Sequence, residues 1–133
     1  MINFYEVSII LFAHYIADFL FQTNWMAKGK SSSLLKLSVH ILTYTLVLFL
    51  CCFFLILIRY DITISDLVVY AIVSGMLHFS VDFFTSKITS WQHKNGYMGS
   101  DSVPNFGFFS TIGADQLIHS LCLIGLYIFM FSK

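Results

Sequence analysis

Four apolar segments, at about 5–24, 34–59, 66–90 and 108–131, divide the chain, and each is long enough to form a membrane-crossing helix. A bilayer needs about 20 such residues as α-helix. The second segment is the cleanest, with no formal charge from residue 37 to residue 58. The others are interrupted by polar residues, and the interruptions are periodic. Counted in threes and fours, the first segment aligns His14, Asp18 and Gln22, and the second aligns Lys36, His40 and Thr43 or Tyr44. The third aligns Ser74, His78, Asp82 and Thr85, and the fourth Thr111, Asp115 and His119. Residues so spaced share one helix face. Lipid tails cannot satisfy such groups, so the stripes are expected to face inward and meet. The pattern predicts an all-α fold, an integral membrane four-helix bundle in which residues 1–133 form a single transmembrane domain.

Within the stripes a histidine and an aspartate stand four residues apart three times: His14/Asp18, His78/Asp82 and, reversed, Asp115/His119. Ala13–Leu20 and Leu77–Phe84 both read H-x-x-x-D-F, and each is followed by a tryptophan, a basic loop and a helix bearing a histidine. This weak repeat can be read as two similar helical hairpins related by an axis along the membrane normal.

Charge orients the bundle. Lys28, Lys30 and Lys36 lie in the first loop and Lys87 and Lys94 near the third, against Arg59 and Lys133 on the other side. The positive-inside rule then makes loops one and three cytoplasmic and both termini extracytoplasmic, in a multi-pass protein of the cell membrane. Trp25 and Trp91 fall at the same interface. In that orientation His14, Asp18, His40, His78, Asp82, Asp115 and His119 occupy one layer in the cytoplasmic half. Glu6, Asp61, Asp66, Asp101 and His93 fall at helix ends or in loops, where water is expected to solvate them.

Composition agrees with a membrane protein: hydrophobic residues make up 58% of the chain, charged residues 11%, and mean hydropathy is +0.82. Soluble domains carry about 25% charged residues. The first segment lacks a basic n-region and an A-x-A-like site, so it is expected to remain as a mature helix. Cys51, Cys52 and Cys122 lie in apolar runs without C-x-x-C spacing and are expected to be filler. Zero net charge and the lack of a basic stripe exclude nucleic acid as a partner and leave the lipid bilayer, with a small-molecule or lipid substrate.

Four histidines and three aspartates in one apolar layer call for positive charge. Lone carboxylates would protonate and neighbouring ones repel, whereas a divalent cation resolves both problems, because these are ligands suited to zinc, manganese or iron. Seven candidate ligands suit one or two ions, two being bridged by a carboxylate with open water positions. Each pair can alternatively hydrogen-bond along its own helix and glue the bundle with no metal. Haem ligation is a further option, at odds with the carboxylate beside each histidine.

The runs "AHYIADFLFQTNWMAKGKS", "LSVHILTY", "LHFSVDFFTSK" and "GADQLIHSL" resemble a bacterial and phage family of small polytopic membrane proteins filed as a domain of unknown function. The resemblance implies the fold more than an activity. A looser similarity, confined to His/Asp-bearing membrane helices, links the chain to membrane-bound metal-dependent hydrolases. The expected function is thus a cytoplasm-facing His/Asp metal centre that hydrolyses an ester or phosphoester if it is catalytic. Gln22, Lys36 and Gln116 are expected to orient or neutralise the substrate, and loop three, about 90–107, is long enough for a lid with an ordinary interfacial loop as the alternative. No P-loop or nucleophile elbow occurs. The rival is a non-catalytic metal or proton carrier, or a partner-binding subunit. A carrier needs a polar path to both sides, and Val47–Leu57 and Cys122–Met130 supply none.

Overall fold

The computed structural model describes residues 3–97 and 107–132, and every regular element among them is helical. Helix α1 (Phe4–Tyr15) runs directly into a π-helical turn at Ile16–Leu20. A short α2 (Asn24–Gly29) follows, then α3 (Leu34–Cys52), which resumes after Phe53 as α4 (Phe54–Ile58). The last two are α5 (Ile64–Lys94) and α6 (Phe108–Phe131).

Local chemistry sets these boundaries. The Asn3, Thr23 and Ser33 side chains accept from the backbone N–H three residues on, capping α1, α2 and α3. Thr63 and Asp66 form a reciprocal capping box that starts α5 at Ile64, two residues before the expected 66. Gly96, at φ +69°, turns the chain out of α5 only after Lys94, so this helix outruns its expected end at 90. The first segment was expected to reach residue 24. Its helix stops at Leu20 instead, because Thr23 opens α2. Its 17 residues, 12 α-helical and five π-helical, lie at the short limit for a crossing. Leu34–Ile58, Ile64–Lys94 and Phe108–Phe131 are each long and apolar enough to cross a membrane.

The helices form a ring, α1 packing on α3 and α6, and α5 on the same two. Large apolar side chains such as Phe12, Leu42, Leu46, Met76, Leu121 and Phe129 point outward. An outer surface this apolar is matched to lipid.

Inside, the ring is stratified. A middle layer of Ile10, Leu48, Cys52, Leu55, Leu67 and Leu123 is apolar and fully buried or nearly so. Tyr70 finds a partner across helices there, donating to the Leu123 carbonyl at 3.1 Å. Cys52 packs there, and all three cysteines are free thiols. Beyond that layer, Arg59 reaches Glu6 Oε1 and Oε2 at 3.4 Å, Asp61 at 2.6 and 2.7 Å, and the Phe131 carbonyl at 3.0 Å. Glu6 is therefore not solvated as expected from its place at a helix end: it is fully buried, bonded to Arg59 and Asn3. The guanidinium hydrogen bonds hold the exposed Asp61 carboxyl down at about 2. One cation thus joins the start of α1, the α4–α5 turn and the end of α6.

At the opposite end Phe108 N donates to the Tyr97 carbonyl at 3.0 Å, bringing the ends of loop three together. Gly99, Asp101 and Pro104, and with them half of the expected lid, lie outside the described residues, as does Lys133.

Candidate metal centre

The polar stripes do meet. His14, Asp18, His40, His78, Asp82 and His119 are all at least 96% buried, and Asp115 is 9% exposed. Each long helix delivers its residues from one face. His78 and Asp82 sit one turn apart on α5 and Asp115 and His119 one turn apart on α6, with Nε2···Oδ contacts of 3.4 and 3.3 Å. Asp18 is different. It stands in the π turn, where a widened helix changes the facing of residues beyond His14, and it contacts His40 at 3.2 Å and His78 at 3.4 Å. Such turns recur at functional sites.

Two groups of ligand-type atoms result, Asp18/His40/His78/Asp82 and Asp82/Asp115/His119, and either could hold a metal ion. In the first, Asp18 Oδ1, His40 Nε2, His78 Nε2 and Asp82 Oδ2 surround one point. His40 Nε2 lies 3.2 Å from Asp18 Oδ1, 3.2 Å from His78 Nε2 and 3.3 Å from Asp82 Oδ2. His78 Nε2 lies 3.4 Å from each of the same two carboxylate oxygens. A tetrahedral ion bound at about 2.0–2.1 Å separates its ligand atoms by roughly 3.3–3.4 Å, whereas typical N–H···O bonds are 2.7–3.2 Å. In the second group His119 Nε2 is 3.3 Å from Asp115 Oδ1 and 3.5 Å from Asp82 Oδ1. Asp82 therefore offers Oδ2 to one group and Oδ1 to the other.

Hydrogen bonding alone leaves this cluster incomplete. Asp18 Oδ1, Asp115 Oδ1 and His119 Nε2 are buried without a hydrogen-bond partner among the described residues, although each is within 3.5 Å of another polar atom. The atoms are near but not aligned for a shared proton. Buried polar atoms left in that state are costly.

The other carboxylate oxygens are held. Gln116 Nε2 donates to Asp18 Oδ2 at 3.2 Å and to Asp115 Oδ2 at 3.1 Å. Its Oε1 is then free to accept from His14 Nε2 at 3.2 Å, and His14 Nδ1 lies 3.2 Å from the Tyr44 hydroxyl. His14 thus stands beside both ligand groups and belongs to neither. The Tyr44 ring also stacks on His78, which stacks in turn on His119, both at 4.0 Å between centroids.

Of the other expected site residues, Gln22 donates to the Asp18 carbonyl at 3.3 Å. The Lys36 ammonium lies over the Trp25 ring, 5.2 Å from its centroid. Lys30 is the lysine that enters the cluster, 3.0 Å from Asp82 Oδ2. Sequence gave it no distinction from Lys28 and Lys36, because it is the short α2 and its turn that aim it inward.

Compared with known families, residues 7–133 match the model described as "Protein of unknown function (DUF3307)". The chain belongs to this family. In this member of DUF3307 the match takes in all seven clustered His and Asp residues. No curated protein matches the chain. No solved structure matches it.

Proposed function

We propose that the chain is a membrane-embedded, metal-dependent hydrolase of an ester or phosphoester, with its centre facing the cytoplasm. The supporting observation is the set of five ligand–ligand separations of 3.2–3.4 Å in the first group, the edge length of a tetrahedral N₂O₂ shell. Charge supports the same reading. Asp18, Asp82 and Asp115 bring three negative charges and Lys30 one positive, leaving two that neutral imidazoles cannot offset. A first divalent ion would balance them, and a second would leave a net positive charge for an anionic substrate.

In this reading Asp18, His40, His78 and Asp82 hold one ion, and Asp82, Asp115 and His119 hold a second with a position left open. The N₂O₂ set suits zinc best, with manganese or iron as the alternatives. A metal bound there would supply Lewis acidity and bring the pKa of water toward neutrality. Gln116, by bonding the far oxygens of Asp18 and Asp115, turns their near oxygens to the site, and His14 and Tyr44 fix Gln116 in turn. Such orienting shells tune metal affinity 10- to 100-fold. Hydrolysis adds the elements of water across the ester: OH to the acyl or phosphoryl group and H to the departing alcohol.

Elemental analysis of the full chain purified in detergent is expected to find about two equivalents of a transition metal per chain. Chelation should lower the melting temperature, as loss of a ligand of the folded state does, and should abolish turnover of a chromogenic phosphodiester or ester that zinc restores. A metal-free preparation with unchanged stability would return the cluster to a purely hydrogen-bonded helix clamp. A Soret band would select haem.

A further inference from the structure

A recess of about 360 Å³ opens directly beside the cluster, between α2 and the end of α5. Lys28, Lys30 and Lys94 line it together with Ser86, Thr89 and Ser90, and among the described residues no carboxylate is in its walls. Helix α5 leads into it from the site: His78, Asp82, Ser86, Ser90 and Lys94 follow one another at four-residue intervals, each about 40° further round the helix. Each step rises about 6 Å, so Ser86 stands one turn from Asp82. Ser86 is 6% exposed, and its hydroxyl is buried with no hydrogen-bond partner among the described residues. Lys30 belongs to both places: it lines the recess while its ammonium touches Asp82 Oδ2.

We infer that this recess is the binding site for a phosphate-type anion, which makes the substrate a phosphoester rather than a neutral ester. Three ammonium groups and a buried, unsatisfied hydroxyl are the donors that phosphate oxygens require. The charge count leads to the same ligand. Two divalent ions and Lys30 bring five positive charges against three from Asp18, Asp82 and Asp115, an excess of two that a phosphoryl dianion offsets. An uncharged ester would leave both the excess and Ser86 unanswered. The inference rests on the metal-centre reading for its chemistry, though the recess itself is built from other residues.

Binding is tested on the full chain in phosphatidylcholine nanodiscs by titration with inorganic phosphate, and in nanodiscs doped with phosphatidic acid by competition with that phosphate. Saturable phosphate binding is expected, weakened at least about tenfold in a Lys28→Gln/Lys94→Gln variant and several-fold in Ser86→Ala. Lys87→Gln removes a nearby positive charge that lies over Phe83 outside the recess, and it should bind as the parent does. Competition by phosphatidic acid identifies a lipid headgroup as the source of the anion, and its failure to compete identifies a soluble one. Unsaturable binding, or an equal loss in Lys87→Gln, means diffuse attraction to a basic face and overturns the site. Metal content measured on the same samples separates the two readings. A metal-loaded parent chain that binds no phosphate sinks the anion site alone. Metal absent with phosphate bound sinks the metal centre alone.

Discussion

At the scale of single residues, the arrangement turns on Asp82, whose two oxygens face different ligand groups. An amide in its place keeps the shape but loses the anion and one oxygen, so both groups should fail together. Asp115 serves the second group only. The expected metal contents are about two equivalents for the parent, about one for Asp115→Asn and close to none for Asp82→Asn, read by elemental analysis. Were these aspartates structural hydrogen-bond partners, each change would cost about 1 kcal/mol and leave metal content as it was. Full occupancy in Asp115→Asn, or losses equal to those of Asp82→Asn, would remove the shared-carboxylate site. The clustered His and Asp residues were legible in the sequence because a polar residue in an apolar helix is conspicuous and its spacing gives its face. Lys30 and the hub role of Gln116 were not. Lys30 lies among other loop lysines with no periodicity to single it out, and the bonds of Gln116 to Asp18 and His14 exist only once α1 and α6 are side by side.

Helices place these residues by how closely they approach. Gly75 on α5 lies one turn before Phe79, and a Cβ there would collide with the Thr45 hydroxyl on α3. Small residues at such crossings let backbones come near one another, and this crossing sets the distance between His40 and His78, 3.2 Å apart at Nε2. Gly75→Ala should therefore push α3 from α5, costing about 1–3 kcal/mol as overpacking does. It should also weaken metal binding without touching a ligand, seen as a lower melting temperature and faster loss of metal to a chelator. Normal metal retention in a destabilised Gly75→Ala chain would show that the site does not depend on this crossing. Periodicity found the three long helices and the shorter first one but not the π turn. An extra residue per turn leaves no mark in composition, and the H-x-x-x-D-F match between α1 and α5 suggests the same geometry twice. The structure breaks that equivalence: His78 contacts Asp82 at 3.4 Å, while His14 bonds Gln116 and Tyr44.

For the whole molecule, polarity is distributed along the bundle axis as a buried cluster at one end, an apolar middle and the Glu6–Arg59 pair at the other end. Between the two ends the described core holds Ile10, Leu48, Leu55 and Leu123 with the hydroxyls of Tyr44, Ser74, Tyr70 and Tyr127 but no buried Asp, Glu, His, Lys or Arg, which favours a site serving one side over a carrier within a single chain. Which side it serves follows from charge. The recess beside the cluster carries Lys28, Lys30 and Lys94, and the far end has Arg59 engaged by Glu6 and Asp61. The positive-inside rule predicts that the side rich in lysine is cytoplasmic. Cysteines introduced one at a time test this: Ser32 and Asn95 are exposed at the cluster end, and Tyr60, 97% exposed, is at the other. In intact cells a membrane-impermeant maleimide should modify Tyr60→Cys and leave Ser32→Cys and Asn95→Cys unreacted until the membrane is opened. The native Cys51, Cys52 and Cys122 lie within the apolar helices, so the parent chain supplies the background. Ready outside labelling of Ser32→Cys and Asn95→Cys, with Tyr60→Cys protected, would invert the bundle and place the metal centre and its anion recess on the outer face.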